Sequence, residues 1–343
     1  MEALQYLARR LFMLFSALFM LIVALFIGLF TYQPGQDTRP VPPGVSETVS
    51  WAPRDILEVW DSVDPIVQEG YRLVSESPKY MGPGADSEDL RFSGNNLSCT
   101  NCHLRGGTLE GSAAWVGVTE RFPQFLGRAN QMSSIQDRIN GCMQRSMNGK
   151  KLPEDSPQMK AIVAYMEWLS ADMPEEKQEY FKGYARLQIP DVAVDLHRGK
   201  EIYARECAVC HGHEGQGISA PDPEKGYLYP PLWGPDSYND GAGMHRVITA
   251  AEFIRSNMPF AVATRENPKL SDEEAFHVAG YINSFSRPHK PNTEQDYPDL
   301  KHKPVSTPYG PWADDFSAEQ HKYGPFPPII EFYRKKYNIA KTK

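Results

Sequence analysis

The chain has 343 residues, with 36 Lys and Arg against 43 Asp and Glu, a formal net charge of -7 at pH 7 and a sequence pI near 5.8. That length exceeds the roughly 100 to 200 residues usual for one domain, so two buried cores are expected. The acidic balance excludes a nucleic-acid partner, whose phosphates demand a basic footprint, and any anion bound must meet a local basic patch.

In chain order, Leu11 to Phe30 form twenty consecutive positions without a charge, about what a helix needs to cross the hydrocarbon core. Arg9 and Arg10 precede this run, and positive charge on that side keeps the N-terminus cytoplasmic. A secretory signal would have a shorter apolar core and a small-residue cleavage site, and Phe30-Thr31-Tyr32-Gln33 is a poor one. Residues 1–32 are therefore expected to be an uncleaved, single-pass anchor in a bacterial inner membrane, with a Pro-rich tether over 33–50 and the remainder in the periplasm.

Residues 51–185 read as a first domain: a helical segment from Asp64 to Ser75, then Cys99-Thr100-Asn101-Cys102-His103, then a helix from Ser156 to Ser170. Residues 186–286 repeat the plan, with a helical segment from Asp195 to Arg205, then Cys207-Ala208-Val209-Cys210-His211, then a helix from Asp272 to Ser286. The parts of Cys-x-x-Cys-His act together, since the two thiols add to the vinyl groups of a haem and the adjacent imidazole becomes the proximal iron ligand. A zinc site would need further paired ligands nearby, and a thioredoxin-like redox pair does not call for the histidine. Two matches imply two covalently bound c-type haems, attached at Cys99, Cys102, Cys207 and Cys210 and ligated by His103 and His211.

The fold class expected is all-α, two tandem cytochrome c domains after an N-terminal transmembrane helix, and the duplication helps to locate the remaining ligands. The second domain resembles small c cytochromes, which implies Met258 of Asn257-Met258-Pro259 as sixth ligand. Met258 lies 23 residues before Tyr281, and the same count back from the equivalent Tyr165 lands on Cys142. Cys142 is also the one cysteine of five left over after haem attachment, and a free thiol in an oxidising compartment calls for a use. Alternatives remain: Met132, Met143 or Met147 for the first haem, with Cys142 a buried thiol, and Met244 or His245 for the second.

A thiolate ligand would lower the potential of the first haem, so electrons would run from it to the second and on to an external acceptor. Between Val118 and Lys151 six basic residues (Arg121, Arg128, Arg138, Arg145, Lys150, Lys151) face two acidic ones (Glu120, Asp137). If Ile135 to Met147 is helical, Arg138 and Arg145 share a face with Cys142, and guanidinium forks suit tetrahedral oxyanions. Arg128 and Arg138 are the candidates for function; Arg121, Lys150 and Lys151 read as surface charge or as partners of haem propionates. The tail, residues 287–343, is rich in proline and aromatics and is expected to wrap the two domains, with regular helix only from Ile329 to Tyr337.

From about Val49 onward the chain resembles the tetrathionate-forming thiosulfate dehydrogenases, dihaem cytochromes whose first haem is bound by histidine and cysteine. The resemblance rests on Ser98 to His103, on Arg138-Ile139-Asn140-Gly141-Cys142 with Arg145 to Gly149, on Cys207 to His211, and on the tail segments Tyr309-Gly310-Pro311 and His321 to Phe326. It implies that two thiosulfates couple to tetrathionate with release of two electrons, that the catalytic ligand falls on Cys142 and the substrate arginines on Arg128 and Arg138, and that electrons pass to a cytochrome or a membrane electron-transfer complex. Some members carry a lysine before the second-haem methionine; here it is Asn257, so a lysine exchange is not expected. Members also run in reverse as tetrathionate reductases, which leaves the direction open. A plain dihaem electron carrier would explain the haems but not Cys142 or the basic patch, and a dihaem peroxidase would need an open iron site.

Overall fold

The computed structural model describes residues 2–31 and 51–343, with side chains described for 5–6, 9–25 and 51–343; the expected tether lies outside the described residues. Helix α1 (Glu2–Thr31) carries the apolar run. Among the described residues no helix is long and apolar enough to cross a membrane. The described side chains of α1 stop at Leu25, so the expected span to Phe30 lies partly outside them.

Residues Trp51–Lys343 form one compact unit built on two hydrophobic cores. The first runs from Ile56 to Phe181 around Leu73, Val116, Met159, Tyr165 and Leu169, and the second from Leu187 to Tyr333 around Ile248, Ala251, Phe276 and Val278. In the first half, helix α2 (Pro65–Ser75) starts where the Asp64 carboxylate accepts the Ile66 amide, with proline in the first turn. After α3 (Ser77–Met81) come the cysteine motif and the short turn α4 (Leu104–Gly107). Strands β1 (Gln124–Leu126) and β2 (Gln131–Ser133) pair antiparallel, Phe125 opposite Met132. Helix α5 (Ile135–Met143) starts in a capping box between Ser134 and Asp137, and α6 (Pro157–Ser170) is capped by Ser156.

The second half repeats this order. Helix α7 (Leu196–Glu206), capped by Asp195, leads into α8 (Ala208–His211); β3 (Ile218–Ser219) and β4 (Tyr227–Tyr229) pair antiparallel; α9 (Val247–Asn257) and α10 (Asp272–Ser284) follow. The duplication is clearest where helices cross. A Cβ on Gly70 of α2 would sit 2.1 Å from the Ala161 carbonyl oxygen of α6, and one on Gly199 of α7 2.4 Å from the His277 carbonyl oxygen of α10. Only glycine permits either approach, and the crossing in each half fixes the helix that precedes the cysteine motif, directly for α7 and with α3 between for α2. Between the halves, the Asn239 amide donates to the Gln144 carbonyl at 2.9 Å and the Asn95 amide to the Ser237 carbonyl at 3.2 Å.

Three expectations need correction. Two short antiparallel pairs accompany the helices, so the fold is helix-rich rather than strictly all-α. Helix α5 ends at Met143, four residues before the expected Met147, where the Arg145 and Met147 amides both turn onto the Cys142 carbonyl instead of continuing the i to i−4 ladder. The tail holds α11 (Ala318–Tyr323) besides α12 (Pro327–Tyr337). It packs Val305, Phe326, Ile329 and Tyr333 into the second core while Asp296 reaches the first domain.

Candidate functional site

In each half the cysteine motif follows a capped helix, and its histidine is fixed by a backbone carbonyl. His103 Nδ1 lies 2.8 Å from the Ala113 oxygen and His211 Nδ1 2.8 Å from the Pro230 oxygen. A carbonyl can only accept, so Nδ1 carries the proton in both rings and Nε2 keeps its lone pair for a metal. The Trp115 ring backs His103, with centroids 4.7 Å apart.

A cavity of about 260 Å³ opens beside His103, and Cys99, Cys102, His103, Arg138 and Cys142 all stand on its wall. Arg138 Nη1 donates to Cys142 Sγ at 3.0 Å. Burial pushes the Cys142 thiol up, but the Arg138 guanidinium, together with the neighbouring His103, outweighs it and brings the thiol down to about 6. Cys99 and Cys102, on the same wall, are pushed up by burial to about 11 and about 12. Cys142 is thus the thiol held as thiolate, facing the ring whose Nε2 is free. Two thiols for attachment, an imidazole lone pair and a facing thiolate around one cavity fit a c-type haem.

The other expected residues are placed as follows. Met143 and Met147 are buried on the cavity wall beside Cys142, whereas Met132 is 61% exposed on β2. Arg128 is not on that wall; its Nη1 meets Asp296 Oδ2 at 2.6 Å and the Tyr309 hydroxyl at 2.9 Å. Arg145, expected on the face of Cys142, instead meets Asp296 Oδ1 at 2.6 Å, since the end of α5 at Met143 turns it away. In the second half Met258 follows the last residue of α9 and packs against the core. Met244 stands on the wall of the first cavity, and His245 Nδ1 is taken by the Asp240 carbonyl at 2.8 Å.

Several contributors were not foreseen from sequence. Tyr238, and Met244 which was weighed only for the second haem, are second-half residues on the first cavity's wall. Asp296 joins two arginines of the first domain to the tail. The only sequence signal for Asp296 is an acid in a basic, aromatic tail, which does not name its partners.

Two repeated helix crossings, two motifs presenting an imidazole and a cavity at the first define a tandem c-type cytochrome. In agreement, residues 91–174 match the SoxA/TsdA cytochrome c domain and residues 196–286 match cytochrome c. The chain is 37% identical over 256 residues to thiosulfate dehydrogenase of Stutzerimonas stutzeri, covering 75% of this chain and 78% of that protein. It is 36% identical over 251 residues to that of Allochromatium vinosum, covering 72% and 86%. The solved thiosulfate dehydrogenase TsdBA from Marichromatium purpuratum, in its as-isolated form, matches at 32% identity with a TM-score of 0.61, over 74% of this chain and 53% of that one. The chain therefore belongs to the thiosulfate dehydrogenase family and is an oxidoreductase of that family, while spanning about half of the TsdBA chain.

Proposed function

We propose that the chain couples two thiosulfate ions into tetrathionate at the first site, with Cys142 as distal ligand and nucleophile. The observation that carries this reading is Arg138 Nη1 at 3.0 Å from Cys142 Sγ on the cavity wall that also bears His103. Arg138 serves twice: it holds Cys142 as thiolate, and its fork offers further donors to the sulfonate end of a thiosulfate. The Cys142 sulfur bonds to the outer sulfur of one thiosulfate as two electrons leave. A second thiosulfate attacks that outer sulfur, the bond to Cys142 breaks, and tetrathionate departs with the thiolate restored. Atoms and charge balance at each step, and no proton is required.

Bound haem c supplies the one-electron acceptors, two in all, held by Cys99, Cys102 and His103 in the first domain and by Cys207, Cys210, His211 and Met258 in the second. Electrons pass to the second domain and on to an external cytochrome or membrane complex. With a strong reductant the same sulfur chemistry runs backward as tetrathionate reduction. Arg128, paired with Asp296 beside Arg145, adds positive potential for the incoming anions. The apolar run Leu11 to Phe30 anchors the protein in a bacterial inner membrane with the haem domains in the periplasm.

Stoichiometry tests this reading. With ferricyanide as acceptor, one tetrathionate should form per two electrons, and Cys142→Ser should stop the reaction. Full turnover in that variant would remove Cys142 from the chemistry.

A further inference from the structure

The residue before each distal position differs between the halves. In the first it is Gly141, and a Cβ built there would meet no atom within 4 Å. In the second it is Asn257, 1% exposed, whose Nδ2 donates to the Gly111 carbonyl at 2.9 Å and to the Phe253 carbonyl at 2.9 Å. Gly111 belongs to the first domain and stands two residues before Ala113, whose carbonyl fixes His103. One side chain thus ties the segment that presents Met258 to the loop that orients His103.

Little else holds that segment on its outer side. Phe260 and Val262 are 44% and 59% exposed, and the further ties meet at Tyr180, whose carbonyl accepts from Arg265 Nη1 at 2.8 Å and whose hydroxyl donates to Glu266 at 2.7 Å. Asn257 Oδ1 is buried without a partner, an unfavourable state that the two bonds from its Nδ2 must offset.

We propose that Asn257 is a positioning residue that locks Met258 against the first domain. The distal ligand of the second site then stays on its iron, whereas Gly141, before the distal ligand of the first, has no side chain to make such a tie. The proposal rests on reading Met258 as the ligand of the second haem.

The deciding experiment uses the holoprotein with Asn257→Gly, which copies Gly141, and Asn257→Ala as a second variant. The readouts are the near-infrared band of methionine-ligated ferric haem, the pH at which that band is lost, and the potential of the second haem. The unaltered protein should show the band and Met258→Ala should abolish it. Both Asn257 variants should raise the methionine-off population by about tenfold, the size of one buried hydrogen bond, and shift the potential; Arg265→Ala should do so more weakly. A missing band in the unaltered protein would overturn the ligand reading itself. A band present there and lost at the same pH in both Asn257 variants, with the potential unmoved, would overturn the lock alone. Reduced folded yield or a lower melting temperature with an undisturbed band would count against it equally.

Discussion

The two haem-binding halves share a scaffold and differ on its distal side. In both, a helix capped by aspartate crosses its partner at a glycine, the cysteine motif follows, and a backbone carbonyl holds Nδ1 of the motif histidine. Opposite that histidine the first half presents Cys142 with Arg138 at 3.0 Å, behind a glycine in open space. At the corresponding place in the internal repeat the second half carries Met258, and the preceding Asn257 has its amide hydrogens engaged. The same motif-histidine scaffold thus carries different residues at the paired positions, a cysteine with its arginine in one half and a methionine behind a tied asparagine in the other.

The comparison is broken most forcefully at Arg138. Arg138→Met should lower kcat/KM for thiosulfate by about 10²-fold or more, the usual scale for removing one charged donor from a reacting site. Binding of an external electron partner to the second half should be untouched. Arg138→Lys should recover little, since a point charge does not replace the fork. Equal activity in the methionine variant would mean the first distal pocket does not bind the anion.

Asp296 is next. Burial raises its carboxyl, but Arg128 and Arg145 outweigh that and hold it below the ordinary carboxylate range. Its contribution to stability is therefore fully present above the unfolded value, about 4, and is lost as pH falls through the lower folded value. Asp296→Asn leaves two guanidiniums without their shared anion and should cost about 3 kcal/mol. It should also flatten the acid limb of stability below about pH 4. Denaturant titrations of the haem-loaded protein across pH read both effects, and an unchanged acid limb would show that the tail does not clamp the first domain.

Matched glycine substitutions probe the shared scaffold. Gly70→Ala and Gly199→Ala would each press a Cβ into a backbone oxygen at 2.1 and 2.4 Å, so each should cost about 1 to 3 kcal/mol in thermal melts. A cost at only one would mean that the crossings are not equivalent. The smallest effect is expected at Gly141, where open space and a helical position predict that Gly141→Ala is tolerated and stabilises by about 0.5 to 1 kcal/mol.

The legible features of this chain were those written locally. The helices flanking each motif, the cysteine motifs and the placement of Cys142 opposite His103 follow from capping residues, apolar spacing and the internal repeat. What escaped was long-range. Asp296 lies 168 residues from Arg128 and 151 from Arg145, so no local pattern could pair them. The shared helical face of Arg138, Cys142 and Arg145 failed because α5 ends at Met143, and one lost turn is enough to redirect a side chain. Arg128 was singled out for its basic surroundings, yet it meets the tail rather than the cavity wall, which charge counting along the chain cannot foresee. Asn257 was noted as the absence of a lysine, whereas its positive role comes from Gly111 in the other domain.

The central claim is tested most directly by mixing oxidised protein with thiosulfate under anaerobic conditions and following the haem absorption bands while assaying tetrathionate. Haem reduction accompanied by tetrathionate, both abolished in Cys142→Ala although that variant keeps its covalently bound haem, is the predicted result. Equal reduction in the variant, or reduction without tetrathionate, would contradict the assignment of the chemistry to Cys142.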